Sequence, residues 1–167
     1  MAIVAALVTG ACGSSGAVPR PFPTPGVTLR GRVSADPPAE TRPPTIDTYA
    51  LTGTALGLRG TAYRDGGSDP SGFDCSGFTQ YVFGRHGVAL PRDVKEQYAS
   101  GTSVKPDEIS AGDLLFFSTV APGASHVGIA LGGDTFVHAP SSTGVVRVER
   151  LTSTYWSQRF VGARRIT

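Results

Sequence analysis

The amino-acid sequence predicts an α+β fold, with N-terminal helices packed on one face of a five- to six-stranded antiparallel sheet. Between Thr45 and Gly101 apolar residues recur at helical spacing, and from Asp113 onward they follow the patterns of strands. Hydrophobic residues make up 40% of the chain and charged residues 17%, which is enough for an ordinary globular core. Helices that precede a run of strands are typical of the α+β class.

Glycines mark the ends of the predicted helices, because glycine accepts the backbone conformation that commonly follows a last helical turn. Gly57, Gly87 and Gly101 are the three stops. Helices are predicted over residues 45–56, from Cys75 to Gly87, and over residues 93–99, with a loop over residues 61–67.

The second half of the chain reads as an antiparallel meander. Gly132-Gly133-Asp134 is a hairpin signal between two alternating segments. The predicted strands cover residues 113–117, 126–131, 135–138, 145–149 and 160–166.

Charge and cysteine content narrow the function classes. The net charge is only +2 and no basic cluster carries interleaved aromatic residues, so we expect no nucleic-acid partner. The two cysteines, Cys12 and Cys75, are too few for a disulfide scaffold and lie in very different surroundings. The length of 167 residues indicates one domain with an appendage, and we expect a monomer.

The first 44 residues predict export and a tether. Residues 1–12 fit the apolar core of an export signal and are too short for a permanent membrane helix, which needs about 20 apolar residues. Thr9-Gly10-Ala11-Cys12 resembles a bacterial lipobox, which makes Cys12 a candidate lipid anchor to a membrane. The alternatives are an ordinary signal peptide and a disordered N-terminus with an incidental cysteine. Residues 13–44 are predicted to be a disordered linker, because eight of the 13 prolines fall between Pro19 and Pro44. The folded domain is then residues 45–167.

Cys75 is the candidate nucleophile. Asp74 is suited to be a helix N-cap, which places Cys75 in the first helical turn. Unpaired N–H groups and the positive end of the helix dipole would then stabilise the thiolate, which predicts a lowered pKa for Cys75. A cysteine with a purely structural role at a helix start is the alternative.

Two histidines are candidate partners of this thiol, because a cysteine hydrolase needs a base and a group that orients it. His126 and His138 flank one predicted hairpin. A two-residue loop would put the imidazoles on opposite faces of the sheet, whereas a three-residue loop or a bulge would put them on the same face. A shared function therefore predicts the longer loop or a bulge. His86 falls at the far end of the Cys75 helix, about 16 Å from its start, so it is not expected to be the base.

Zinc is a rival interpretation of the same three side chains. Cys75, His126 and His138 could ligate a metal, although no Cys-x-x-Cys or His-Glu-x-x-His pair is present. A further alternative is a pair of strand-end histidines that only bond the backbone. We expect neither a metal nor another cofactor.

Several stretches of residues 45–167, taken together and in order, resemble one known family. The stretches are Gly60-Thr61-Ala62-Tyr63 with Gly66-Gly67, Phe73-Asp74-Cys75-Ser76-Gly77-Phe78, Leu90-Pro91-Arg92, Gly112-Asp113-Leu114-Leu115-Phe116-Phe117, His126-Val127-Gly128-Ile129 and Phe136-Val137-His138-Ala139. They resemble the NlpC-type bacterial cell-wall cysteine peptidases, which have a papain-like α+β fold. The tail over residues 155–165 resembles that of the lipoprotein murein endopeptidases within this family. Asp93 departs from the Ser or Thr that usually follows Leu-Pro-Arg.

The resemblance implies roles for individual residues. Cys75 is implied as the nucleophile, His126 as the base and His138 as the residue that orients His126. The resemblance also implies that Tyr63 borders the oxyanion site and that Asp74 and Ser76 help to bind the substrate peptide.

The implied function is a peptidoglycan endopeptidase of the cell envelope that hydrolyses amide bonds in peptide stems or cross-links through an acyl-enzyme. Bonds from γ-D-glutamate to diaminopimelate and from D-alanine to diaminopimelate are both plausible targets. The rival functions are a non-catalytic cell-envelope binding protein, and an amidase or acyltransferase that uses the same dyad on another substrate.

Overall fold

The computed structural model describes residues 46–167, which contain helices, a six-stranded antiparallel sheet and a separate two-stranded sheet of Ser68–Asp69 and Gly72–Phe73. The segment predicted as an export signal, Cys12 within it and the linker predicted over residues 13–44 lie outside the described residues. The helices of residues 46–167 are α1 (Thr48–Gly57), α2 (Cys75–Arg85), α3 (Val94–Ala99) and α4 (Thr154–Ser157), with a 3₁₀ turn at Pro106–Glu108. The strands are β1 (Ser68–Asp69), β2 (Gly72–Phe73), β3 (Thr102–Val104), β4 (Leu114–Phe117), β5 (His126–Gly132), β6 (Thr135–His138), β7 (Arg147–Arg150) and β8 (Phe160–Arg165).

An aspartate side chain caps the start of each of the first three helices. The caps are Asp47 for α1, Asp74 for α2 and Asp93 for α3. Such a cap satisfies backbone N–H groups of the first turn and contributes about 1 kcal/mol. The first helix therefore begins at Thr48, three residues later than predicted, because the carboxylate of Asp47 holds the first turn. Asp93 caps α3 as a Ser or Thr would, since all three residue types are good N-caps.

The sheet order is β3-β8-β4-β5-β6-β7, and every pair is antiparallel. Strands β4 to β7 form the predicted meander. The prediction that the last strand continues it was wrong, because β8 returns to the other edge of β4, where Ala163 pairs with Leu115. There Ala163 joins a buried cluster with Leu115 and Phe117. This burial favours pairing of β8 with β4 over pairing with β7, whose residues are partly exposed.

The hairpin between β5 and β6 contains a β-bulge, as a shared role for the two histidines requires. Ala130 pairs with Phe136 and Gly132 pairs with Thr135, so Leu131 is an extra residue on β5. Gly132 and the next glycine have φ of +93° and +59°, a region in which glycine is far less strained than other residues. The bulge offsets the strand by one residue and brings the side chains of His126 and His138 to the same face of the sheet.

Both faces of the sheet are covered. Val127, Ile129 and Val137 point into a core shared with α1 and α2, as predicted for N-terminal helices on one face. The opposite face was expected to lack a helix, but Trp156 of α4 packs there against Phe117. Alternation along β5 puts His126 on this second face, beneath Trp156.

Within residues 46–167 no helix has the length and the apolar character that are needed to cross a bilayer.

Candidate active site

Cys75 is the first residue of α2, as predicted. The Asp74 side chain accepts a hydrogen bond from the Gly77 N–H at 2.7 Å, which closes the first turn around the cysteine. Backbone N–H groups of Cys75, Ser76 and Val127 face the sulfur. Cys75 is half-buried, and α2 packs on β5, so the sulfur lies against the strand residue that directly follows His126.

The predicted lowering of the thiol pKa was wrong. Burial, followed by the negative charge of Asp74, raises the pKa of Cys75 from 9.0 to about 11. The three backbone N–H groups act in the opposite direction and are outweighed. The free protein therefore holds Cys75 as a neutral thiol at neutral pH, and such a thiol needs a base before it can act as a nucleophile.

His126 and His138 form a buried pair on one face of the sheet. Nε2 of His126 and Nδ1 of His138 are 2.7 Å apart, and the two side chains are 7% and 0% exposed. Burial lowers the pKa of His126 to about 4, and burial with the nearby His126 lowers the pKa of His138 as well. Both imidazoles are therefore neutral at neutral pH, and His126 is in the form that can accept a proton.

Trp156 fixes the orientation of both imidazoles. Its ring stacks on His126 with centroids 5.6 Å apart and planes 23° apart, and meets His138 edge-on at 4.9 Å. In the sequence, Trp156 stands out only as part of the C-terminal tail over residues 155–165. Its role depends on the placement of α4 over the sheet, which no local signal in the sequence predicts.

The Cys75 sulfur lies against Val127, the residue after His126, but Cys75 and His126 line different cavities. Cys75 lines a cavity of about 410 Å³, and His126 lines a second one of about 130 Å³. Among the described residues no hydrogen bond joins the two side chains, and Nε2 of His126 is engaged by His138. Nδ1 is then the nitrogen of His126 that remains for the thiol.

The larger cavity contains the other predicted site residues, which are Tyr63, Asp74 and Ser76. Burial, and then repulsion by the Cys75 thiolate that forms only at high pH, raise the pKa of Tyr63 above its ordinary value, so its phenol remains a hydrogen-bond donor at neutral pH. An isolated parallel bridge from Tyr63 to Phe73 holds the tyrosine beside the start of α2. Val145, expected to begin β7, instead bridges Ala62 from the neighbouring loop.

Arg92 is a site residue that the sequence reasoning missed as a participant. Its guanidinium forms an ion pair with Asp74 and donates to the Ser76 hydroxyl at 2.7 Å. The two residues on either side of the thiol are therefore held by one cation from the loop before α3. The motif Leu90-Pro91-Arg92 was visible in the sequence, but its partners lie 16 and 18 residues away.

Gln97 joins the start of α2 to the Arg92 loop from within the core, and the sequence reasoning did not identify it either. Its amide is fully buried and donates to the carbonyl oxygens of Ser76 at 3.1 Å and Pro91 at 2.8 Å. Its oxygen accepts from the Thr79 hydroxyl at 2.7 Å. A buried amide with all these partners fixes the start of α2 relative to the Arg92 loop.

The remaining candidates separate from this site. His86 caps the far end of α2 and bonds Thr54 of α1 at 2.9 Å, in agreement with its expected place away from the thiol. Cys12 lies outside the described residues. In the described part of the chain no group of three or more His, Cys, Asp or Glu side chains is arranged to hold a metal ion.

A half-buried cysteine at a helix start, packed on an antiparallel sheet that carries a histidine pair, defines a papain-like domain of the cysteine-peptidase class. Comparison with known sequences gives the family. The NlpC/P60 family model matches residues 60–165, and the chain belongs to this family.

Two curated relatives give the range of activities named for similar proteins. A Bacillus subtilis protein named gamma-DL-glutamyl hydrolase is 40% identical over 120 residues, which cover 70% of this chain and 29% of that protein. The Escherichia coli protein named murein DD-endopeptidase MepS/murein LD-carboxypeptidase is 42% identical over 109 residues, covering 65% of this chain and 57% of that one. The chain thus spans less than two thirds of the length of either relative.

A solved structure shows that this fold also occurs without catalysis. RipD from Mycobacterium tuberculosis, described as a non-catalytic NlpC/p60 domain protein adapted to peptidoglycan binding, superposes with a TM-score of 0.61. It is 25% identical, and the match covers 72% of this chain and 97% of RipD. Membership of the family therefore leaves the activity of this chain to be argued from its own residues.

Proposed function

We propose that this chain is a cysteine-type peptidase that hydrolyses amide bonds in the peptide stems or cross-links of peptidoglycan. One observation carries the proposal: the thiol of Cys75 begins a capped helix and faces β5, whose first residue is the buried, histidine-paired His126. The murein endopeptidase among its relatives supports the choice of substrate.

In the first step His126 removes the proton of the Cys75 thiol as the sulfur attacks the carbonyl carbon of the amide. The carbon–nitrogen bond breaks, and the same proton passes to the leaving nitrogen. A thioester remains on Cys75. Water then gives a proton to His126 while its oxygen attacks the thioester, and the released sulfur takes that proton back. His138 accepts a hydrogen bond from Nε2 of His126 and keeps Nδ1 directed toward the thiol.

The negative charge that develops on the substrate oxygen is stabilised at the start of α2. The backbone N–H groups near the sulfur and the Tyr63 hydroxyl are the donors. Asp74 and Ser76, joined by Arg92, contact the peptide on the side of the thiol. No metal or cofactor takes part in these steps.

The protein acts outside the cytoplasm in the cell envelope, as a monomer. Residues 1–12 direct export, Cys12 carries a lipid, and residues 13–44 give residues 45–167 the reach to find peptide bonds in the wall. These assignments rest on the composition of residues 1–44.

The test is digestion of purified peptidoglycan by the full chain, with products identified by mass spectrometry. Wild-type protein should release muropeptides, and Cys75→Ala should lower the rate by roughly 10³-fold or more. Cys12→Ala is the matched control, because it removes the only other cysteine, and it should leave the rate unchanged. The product masses also distinguish cleavage at γ-D-glutamate from cleavage at D-alanine. Equal rates for wild type and Cys75→Ala would contradict the proposal.

The second candidate is a peptidoglycan-binding protein without turnover, which the similarity to RipD favours. The free Cys75 and the paired histidines argue against it, since binding alone requires neither. Wild-type protein that sediments with peptidoglycan but releases no product would establish this alternative. Turnover of a muropeptide and of a lipid ester should also be compared. A peptidase cleaves the muropeptide, whereas an acyltransferase acts on the ester.

A further inference from the structure

The helix that carries Trp156 is too short to be stable by itself. α4 has four residues, whereas an isolated helix of fewer than about 12 residues is marginal in water. Its N-cap is Ser153, whose side chain makes no capping hydrogen bond within the described residues. Burial of Trp156 against the sheet is favourable but non-directional, so it does not by itself fix how the indole lies on the imidazoles. The position of α4 therefore depends on the residues that precede it.

Asp134, which follows the two glycines of the β5–β6 turn, holds those residues. Its side chain accepts hydrogen bonds from the Thr152 N–H at 2.8 Å, the Thr152 hydroxyl at 2.7 Å and Nε of Arg150 at 2.8 Å. Its backbone carbonyl accepts from the Leu151 N–H at 2.8 Å. Three consecutive residues that lead from β7 into α4 are thus bonded to one residue of a distant turn.

The Asp134 side chain is mostly buried and keeps its charge. It is 25% exposed, and hydrogen bonds from Thr152 and then from Arg150 lower the pKa of its carboxyl below the ordinary 3.8. An ionised acceptor makes stronger hydrogen bonds than a neutral one. These bonds therefore persist down to the pH at which His126 is protonated.

Both segments joined by Asp134 lead to the histidine pair. β6 begins directly after Asp134 and carries His138 four residues on, about 13 Å away. α4 begins two residues after Thr152 and brings Trp156 against both imidazoles. The bonds between Asp134 and Thr152 therefore set where the indole lies relative to the rings that it covers.

We propose that Asp134 is a positioning residue of the candidate active site, which acts through Thr152 and α4 to hold Trp156 on His126. It contacts no reacting atom. Without its bonds α4 loosens, water reaches the imidazole, and His126 loses the single orientation that general-base action needs. The effect on catalysis rests on the proposed function, whereas the effect on the contact between Trp156 and His126 does not.

Trp156 is the only tryptophan of the chain, so its fluorescence reports this contact. An imidazolium quenches the emission of an indole that it touches far more than a neutral imidazole does. Emission of the full-length wild-type protein should therefore fall as pH is lowered, with a midpoint near pH 4, where His126 takes up its proton.

The surroundings of His126 allow this midpoint to be assigned. Its titratable neighbours are His138 of β6, with Arg147 of β7 paired opposite it, and Cys75 of α2. β4 and α4 present the Phe117 ring and the indole. Burial lowers the pKa of His138 as well, and that of Cys75 is about 11, so His126 is the first of these groups to take up a proton below pH 7.

Asp134→Ala should raise the midpoint by about one pH unit, because an imidazole that is less covered is easier to protonate. It should also lower kcat on a muropeptide about tenfold with KM within twofold, since the cavity at Cys75 is untouched. Thr152→Val removes one donor from outside the hairpin and should shift the midpoint in the same direction by a smaller amount. A shift in this second variant cannot come from the turn itself.

Asp69→Ala is the matched control. Asp69 accepts the same kinds of hydrogen bond, from the N–H and the hydroxyl of Ser71 and from the Arg64 guanidinium, but all of them stay within one short hairpin. Asp69 lines neither cavity, so this variant should keep the wild-type midpoint and kcat.

Two outcomes overturn the inference: wild-type midpoints in Asp134→Ala and Thr152→Val, or an equal shift in Asp69→Ala. Far-UV circular dichroism checks folding, and if Asp134→Ala does not fold, Thr152→Val decides the question alone. The emission titration needs no turnover, so its result is separate from that of the peptidoglycan digestion. A wild-type protein that releases no muropeptides but shows the expected midpoints would refute the peptidase and retain the role of Asp134.

Discussion

For single residues, the proposed reaction depends on the protonation states of Cys75 and His126. Helix position alone favours a thiolate, yet burial and Asp74 raise the thiol pKa to about 11. Burial lowers the pKa of His126 to about 4. Between these values the pair is a neutral thiol beside a neutral imidazole, so the base acts during the reaction and no preformed ion pair is required.

The pH dependence of kcat/KM follows from these shifts. Protonation of His126 removes the base, and its pKa lies below the ordinary 6.5, so activity should persist as pH falls through 6.5 and be lost only near pH 4. Measured between pH 3.5 and 9 on a soluble muropeptide, the profile should be flat above about pH 5. Alkylation of Cys75, followed by mass spectrometry of its peptide, should still be rising at pH 9. An acid limb at 6.5 or an alkylation midpoint below 8.5 would refute this description.

His138 is argued to act through a single hydrogen bond. If Nδ1 of His126 is to accept the thiol proton, Nε2 of His126 must carry a proton and donate it to His138. Nδ1 of His138 then accepts, and the proton of the neutral His138 imidazole lies on its Nε2.

A substitution that keeps an acceptor should therefore keep most of the activity. We expect His138→Asn to retain kcat/KM within about tenfold, because its amide oxygen can accept from His126. His138→Leu should lower kcat about 10²-fold at similar KM, since it leaves His126 without an orienting partner. Steady-state kinetics on one muropeptide checks both variants. Similar losses in the two would show that the acceptor is irrelevant.

At the scale of elements, the bulge in the β5–β6 hairpin decides whether the two histidines meet. Gly132, at φ +93°, is part of this bulge, and a β-branched residue there is strained. Without the bulge, Leu131 would take part in pairing and His126 would move to the opposite face from His138.

Gly132→Val should therefore cost activity out of proportion to stability. We expect a loss of roughly 1–2 kcal/mol in unfolding free energy, as for other strained glycine positions, and a fall of tenfold or more in kcat/KM. Gly87→Val is the matched control: Gly87 has φ +78° beyond the end of α2, with open space around it, and touches no site residue. Its stability should fall by a similar amount while kcat/KM stays near wild type. Equal activity in the two variants at matched stability would mean that the register does not matter.

The sequence predicts those features of the fold and site that depend on neighbouring residues, and it misses those that depend on contacts between distant elements. The Asp74 cap and the Cys75 helix were predictable, because the cap and the helix it starts are neighbours in sequence. The hairpin condition on His126 and His138 was also predictable, because parity along a strand is a local rule. Arg92, Gln97 and Trp156 were not recognised as site residues, since each contacts residues brought near only by packing of separate elements. The thiol pKa was predicted with the wrong sign because burial of Cys75 cannot be read from its neighbours in the chain.

In the whole molecule, the thiol and the histidine pair belong to opposite faces of the sheet. The helix side of the sheet supplies the thiol, and the opposite side holds the histidines under Trp156. The strand order explains why: β5 is central, its Val127 contacts the helix core, and His126 at its start turns to the other face. The prediction of a simple meander missed this centrality, because alternation within β8 does not say which strand it pairs with.

In the proposed reaction Cys75 carries the acyl half of the substrate as a thioester, which rapid-quench mass spectrometry can detect. Wild-type protein mixed with a muropeptide and quenched in acid within milliseconds should show a mass increase equal to the acyl half. Proteolytic mapping should place this mass on the peptide that contains Cys75, and Cys75→Ala should show none. Product release at the wild-type rate with no adduct, or with an adduct on another residue, would contradict the account.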